Sequence, residues 1–137
     1  MGEAIVLDTS AFLTLMEQEA GADEVEAYIA GAIEGTVDLH ASFVSLTELE
    51  YITTQENDQA TADLRVADAT ALPIQWHHSD ATLCSAAAKL KVAHKLSFAD
   101  TFVVALAQRL DARLIHKDPE MENLGSEVKQ QALPPKK

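Results

Sequence analysis

Four short β-leaning runs alternate with longer stretches of helical spacing, and this alternation constrains the chain more than any single motif. Ala4-Ile5-Val6-Leu7 is apolar and stops at Asp8, which reads as a buried strand entering a turn. Residues 11–17 and 22–34 have helical spacing, with Val25, Tyr28, Ile29 and Ile33 on one face. A second strand is expected between Val37 and Val44. Helix is expected from residue 46 to about residue 68, with a break near Asn57-Asp58. Leu72–Trp76 is a third strand candidate, and its Pro73 marks a strand start or an edge. Ser79–Ala93 and Ser97–Leu110 read as helices, and Ala112–His116 as a strand stopping near Asp118. The alternation predicts a three-layer α/β/α domain around a mainly parallel central sheet.

At 137 residues the chain suits one domain, expected over 1–132, with a short C-terminal tail at Leu133-Pro134-Pro135-Lys136-Lys137. Cys84 is alone, which excludes an internal disulfide and a cysteine-based zinc site. No apolar run reaches the ~20 residues that span a bilayer, and the N-terminus lacks a basic leader region. The expectation is a cytoplasmic protein with no membrane contact. Net charge is −12, unevenly spread. Residues 1–68 hold 15 acids and one base, Arg65; residues 69–137 hold 7 acids and 9 bases. The acidic half reads as a solvated surface, a face for a basic partner, or the mark of a high-salt habitat. The second half offers cations for nucleic-acid phosphates at Lys89, Lys91, Lys95, Arg109, Arg113 and Lys117.

In parallel α/β sheets, chemistry gathers beyond the carboxyl ends of the strands. Acids are expected there in this chain. Asp8 follows the first strand and Asp118 the last clear one. Glu48 lies in the turn after the second strand, and Asp100 in the first turn of the helix at Ser97. Ser45-Leu46-Thr47-Glu48 and Ser97-Phe98-Ala99-Asp100 both fit a capping box, so each acid taken singly reads as a cap. Taken together, four carboxylates on one rim repel one another unless a cation neutralises them. Two divalent ions balance four carboxylates, and an oxygen set without Cys suits Mg²⁺ or Mn²⁺. Other chemistries fit less well. A haloacid-type phosphatase wants a second Asp where Ser10 stands, and no Gly-rich phosphate loop follows the first strand. His77 and His78 are neighbours in a strand, so they point to opposite faces and suit a surface or edge role.

With these acids placed, the chain resembles the PIN-domain family, most closely VapC-like toxins of toxin–antitoxin pairs. The matching pieces are Val6-Leu7-Asp8-Thr9-Ser10, Ser45-Leu46-Thr47-Glu48-Leu49, Leu96-Ser97-Phe98-Ala99-Asp100-Thr101, and the stretch from Ala112 to Met121. The most specific region is Leu96 to Asp118. The resemblance implies an Mg²⁺-dependent endoribonuclease. It implies Asp8 and Asp100 as main metal ligands, Glu48 and Asp118 completing the site, Ser10 orienting Asp8, and Glu120 as a further acid. Two positions depart from the pattern. His116 stands where Thr or Ser is usual, and Met121 where an aromatic is usual.

The partners expected are RNA, an antitoxin whose arginine plugs the acidic site, and a second copy of the chain. The second copy is expected on the helix faces Phe12/Leu15/Met16 and Tyr28/Ile29. The alternatives are a non-cleaving PIN-like module that binds RNA or protein, and an RNA-processing or DNA nuclease of the same fold.

Overall fold

The computed structural model describes residues 2–135. Ile5, Val6 and Leu7 are all fully buried in β1 (Glu3–Leu7), as expected of a central strand covered on both faces. The chain continues through α1 (Thr9–Met16), α2 (Ala22–Glu34), β2 (Val37–Ser42), α3 (Phe43–Glu56), α4 (Gln59–Ala71) and β3 (Gln75–His77). It then forms α5 (Ala81–Ala93), α6 (Phe98–Leu110), β4 (Arg113–His116), the short α7 (Pro119–Glu122), a 3-10 turn (Gly125–Glu127) and β5 (Gln130–Ala132). The five strands form one sheet in the order β3-β2-β1-β4-β5, and every pairing is parallel.

Strand periodicity sorts the core into two layers. Ile5, Leu7, Leu39, Ala41 and Ile115 face α1 and α2, where Phe12 and Val25 are fully buried. Val6 and Leu114 face the opposite way, toward α5 and α6, with Leu83, Val103 and Leu106. The three-layer α/β/α arrangement is therefore built as the alternation predicts.

Element boundaries have local causes. The second strand lies within Val37–Val44 as expected and stops at Ser42, which caps α3 by accepting from the Val44 amide. The helical stretch breaks at Asn57-Asp58 as expected, and Asp58 starts the second helix by accepting from the Thr61 amide at 2.7 Å. Leu72–Ile74 precede β3, and only Gln75–His77 pair with β2. Gly35 ends α2 at φ 87°, a left-handed conformation that glycine adopts without strain.

β5 was not legible in the sequence, and it draws the chain's end into the fold. Leu133, placed in the tail by its Pro-Pro-Lys surroundings, is 4% exposed and packs in the α1/α2 layer. Its amide donates to His116 O at 2.7 Å. Lys136 and Lys137 lie outside the described residues. The helix faces expected to receive a second copy are engaged within this one. Phe12 is fully buried and stacks on Trp76 at 5.5 Å, while Leu15, Met16, Tyr28 and Ile29 pack against the same layer. Among the described residues no helix is long and apolar enough to cross a membrane.

Candidate active site

The direction of strand succession reverses between β1 and β4. β2 and β3 lie on one side of β1, and β4 and β5 on the other. Loops diverge at such a switch point and leave a crevice beyond the carboxyl ends of the strands. Asp8 leaves β1 there and Asp118 leaves β4. Asp100, in the first turn of α6, and Glu48, in α3, are turned toward the same crevice. Asp8 acts electrostatically on both, and Asp118 acts on Asp100 and on Asp8. The structure thus brings together the four acids singled out by sequence.

Two of them are also caps. Asp8 caps α1 and Asp118 caps α7, where Pro119 occupies the first turn. Ser97 caps α6 by accepting from the Asp100 amide at 3.1 Å, as the motif predicts. The other proposed capping box does not form. Ser42 is the cap of α3, and Ser45 is buried inside the helix. Glu48 is therefore free of capping duty. Its Oε1 accepts from Thr9 Oγ1 at 2.7 Å, and Thr9 Oγ1 stands 2.9 Å from Ser45 Oγ.

Asp8 is 4% exposed. Its Oδ2 accepts from both the amide and the hydroxyl of Ser10, and Ser10 Oγ in turn accepts from the Lys117 amide at 3.0 Å. Burial raises the Asp8 pKa and the Ser10 hydrogen bonds oppose the rise. Burial likewise raises Glu48, against the Thr9 bond. Asp100 is pushed up to about 8, first by burial, then by the Asp8 charge and by Asp118.

The donor set can be tested against a cation. Asp8 Oδ1 is buried with no hydrogen-bond partner, a lone-pair site aimed into the protein at the switch point. Burial first, and then the Asp8 and Asp118 charges, disfavour the ionised form of Asp100, and a divalent cation opposes that bias. Among the described residues, no three His, Cys, Asp or Glu side chains are already grouped around one point. The fit therefore rests on charge and on the free Asp8 oxygen. Both suit a hard ion with oxygen ligands and retained waters.

The remaining predicted residues divide. Glu120 gives its amide to Asp118 Oδ1 at 2.9 Å, but its own side chain is exposed. Lys91 Nζ donates to Leu96 O at 2.7 Å and closes the α5–α6 turn. Arg109 forms a two-pronged pair with Asp80, both bonds 2.8 Å, at the far end of α6. Arg113 opens β4, so it lies at the end of the sheet opposite the acids, paired with Glu3 at 2.9 Å and over the Tyr28 ring. Neither arginine is placed to follow a phosphate chain into the crevice. Lys89 and Lys95 are exposed and in no ion pair among the described residues. His77 sits on edge strand β3 and meets His40 at 2.9 Å, while His78 stacks on Phe43.

Sequence reasoning missed Thr9 and Tyr51, and it marked His116 as a departure from the family pattern without foreseeing its contacts. Thr9 is adjacent to Asp8, but nothing in its spacing foretells Glu48 as its partner. Tyr51 lies one turn after Glu48 on α3 and bonds to its carboxylate, an i, i+3 relation open to prediction. His116 is fully buried. Its Nδ1 accepts from the Asp118 amide at 3.0 Å, so its proton is on Nε2, where Gln130 Oε1 receives it at 2.8 Å.

Comparison with solved structures finds the same fold in several proteins. VapBC2 from Rickettsia felis, solved bound to a DNA fragment of its promoter, superposes with TM-score 0.75 at 10% identity, covering 96% of this chain and 99% of that one. Mycobacterium tuberculosis VapC20, a sarcin-ricin-loop cleaving toxin, gives 0.72 at 18%, covering 88% and 95%. VapBC-1 from nontypeable Haemophilus influenzae gives 0.67 at 18%, covering 94% and 97%. At these identities the likeness is one of fold. Comparison with curated protein sequences gives no match. The PIN-domain family model, however, matches residues 5–127, from β1 through the turn before β5 and across all four clustered acids, so the chain belongs to the PIN-domain family.

Proposed function

We propose that the chain is a metal-dependent endoribonuclease, using Mg²⁺ or Mn²⁺, and the toxin of a toxin–antitoxin pair. The observation that carries this reading is Asp8. It is a buried carboxylate at the sheet's switch point, with one oxygen fixed by Ser10 and the other unpartnered, among three further acids. A fold bears such a cost where a cation is bound.

Asp8 and Asp100 would hold the ion, with Glu48 and Asp118 completing its surroundings. A divalent ion, when bound, supplies Lewis-acid polarisation of the scissile phosphate and a lowered pKa for the attacking water. The protein's part is orientation. Ser10 fixes Asp8, Thr9 fixes Glu48, and His116 fixes the amide of Asp118. Lys89 and Lys95 are the cations best placed to meet RNA phosphates. The toxin assignment draws on neighbours solved as VapBC complexes, one of them a DNA-bound complex from Salmonella typhimurium. A partner antitoxin is expected to bring an arginine to the acids, since a guanidinium fork matches carboxylates.

The test is incubation of total RNA with the purified protein. Cleavage is expected with Mg²⁺, abolished by EDTA and by Asp8→Asn, leaving 5′-phosphate and 3′-hydroxyl ends. Metal-independent cleavage leaving 2′,3′-cyclic phosphates overturns the reading. RNA binding without cleavage points to the non-cleaving module, and preferential cutting of DNA to a DNA nuclease.

A further inference from the structure

Phe98 opens α6 directly after its Ser97 cap, two residues before Asp100. Its ring is 70% exposed, yet it is held in place. It meets Phe102 edge to face, with centroids 5.4 Å apart and planes at 65°. Phe102 is in turn braced edge-on against Phe43 at 5.5 Å. Two apolar clefts share the Phe98 ring as a wall. One, of about 450 Å³, runs over Phe43, Thr47, Glu48, Tyr51 and Ser97. The other, of about 430 Å³, runs over Cys84, Ala88, Lys91, Val92 and Phe102.

We propose that Phe98 is a wedge on which the unpaired nucleobases flanking the scissile phosphate stack, one in each cleft. The inference rests on the reading of the chain as an RNA nuclease and adds a substrate subsite to it. Continuity with the acids is the first argument. Glu48 and Ser97 line the first cleft, so it begins where the carboxylates end. The ring therefore lines the same cleft as Glu48 and stands two residues before Asp100 in α6. The second argument is the lining. Both clefts are walled mainly by carbon, and their one cation, Lys91, has its ammonium turned to Leu96 O. Such walls suit a base and not a phosphate. The third is the ring's setting. Open space on both sides of a fixed aromatic ring fits two successive bases splayed around it, the arrangement of phenylalanine wedges that unstack nucleic acids. Tyr51, 46% exposed on the wall of the first cleft, adds a second aromatic surface there. Stacking on aromatic rings is tolerant of sequence, because every base has a π-face. The substrate class that follows is RNA unpaired at the cut.

The test uses the full chain and a short unstructured RNA carrying 2-aminopurine, with Ca²⁺ in place of Mg²⁺ so that the acids are neutralised, and gel analysis confirms that the strand stays intact. Wild type is expected to change the probe's fluorescence on binding, and the same strand annealed to its complement is not. Phe98→Leu keeps an apolar side chain and removes the π-face. It should weaken binding roughly 5- to 150-fold with an unchanged melting temperature, while Phe98→Tyr restores binding. Equal binding by wild type and Phe98→Leu overturns the inference, as does no fluorescence response with wild type. Loss of affinity for a neighbouring gene product with RNA binding intact makes the clefts a protein-docking surface and overturns it too. Failure of the nuclease reading looks different: wild type then shows Phe98-dependent stacking but cuts no RNA when Mg²⁺ is restored.

Discussion

Ser10 joins three parts of the chain through one hydroxyl. It donates to Asp8, accepts from the Lys117 amide, and starts α1 beside the cap. Ser10→Ala leaves Asp8 Oδ2 with the residue-10 amide as its one remaining donor and leaves the Lys117 amide unmatched, so a loss of about 1–3 kcal/mol is expected in urea unfolding. Cleavage should fall further than that loss explains, because Asp8 is no longer held. Asp100 and Ser97 can be told apart in the same way. Ser97→Ala removes a helix cap, costing about 1 kcal/mol and leaving most activity. Asp100→Asn removes the carboxyl whose ionisation the cluster opposes, so the metal-free protein should be as stable or, as pH rises toward about 8, more stable, with cleavage abolished. The pH dependence has a definite sign. Asp100 binds its proton more tightly when folded, so its contribution is full below its ordinary value of 3.8 and is lost as pH rises toward about 8. Melting temperature in EDTA should therefore fall across that window, and Asp100→Asn should flatten the slope. Added Mg²⁺ competes with the same proton, so its thermal stabilisation of wild type should grow as pH rises.

At the scale of elements, apolar runs and caps were legible, and pairings that rest on the backbone were not. Ala4–Leu7 and Ala112–His116 announce themselves because both strands are covered on two faces and carry consecutive apolar residues, Ile5-Val6-Leu7 and Leu114-Ile115. Gln130-Gln131-Ala132 has no such signature. It is an edge strand of three residues, made by pairing with β4 and anchored by Leu133. The Ser45 capping box failed for a related reason. Ser42 lies three residues earlier and satisfies the helix start first, leaving Ser45 for Thr9. All four acids were legible from their positions after strands and helix starts, whereas Thr9 and His116 act through partners that only folding supplies. The anchoring role of Leu133 can be measured. Leu133→Ala should destabilise by about 2–4 kcal/mol in urea unfolding, as expected for a buried leucine, whereas Pro135→Ala should leave stability unchanged.

At the scale of the whole molecule, most cations among the described residues are already engaged. Arg109 and Arg113 pair with Asp80 and Glu3, Arg65, Lys117 and Lys129 pair with acids of their own, and Lys91 donates to Leu96 O, while Lys89 and Lys95 are in no ion pair. Replacing both lysines by Gln should flatten the salt dependence of RNA binding by about 1.4 in log–log slope, while Arg113→Gln leaves it unchanged. Fluorescence anisotropy over a salt series measures this. Sheet order has a further consequence, for the protein's own synthesis. The central strand leaves the ribosome well before one of its two partners, which spans residues 113–116. Asp8 and Asp118 cannot meet until that partner has emerged, so a ribosome that stalls earlier releases a fragment whose acidic crevice lacks at least Asp118. If the chain is a toxin, its producer is thereby shielded from its own unfinished copies, and the interval before the last strands pair is time in which a neutralising partner can accumulate.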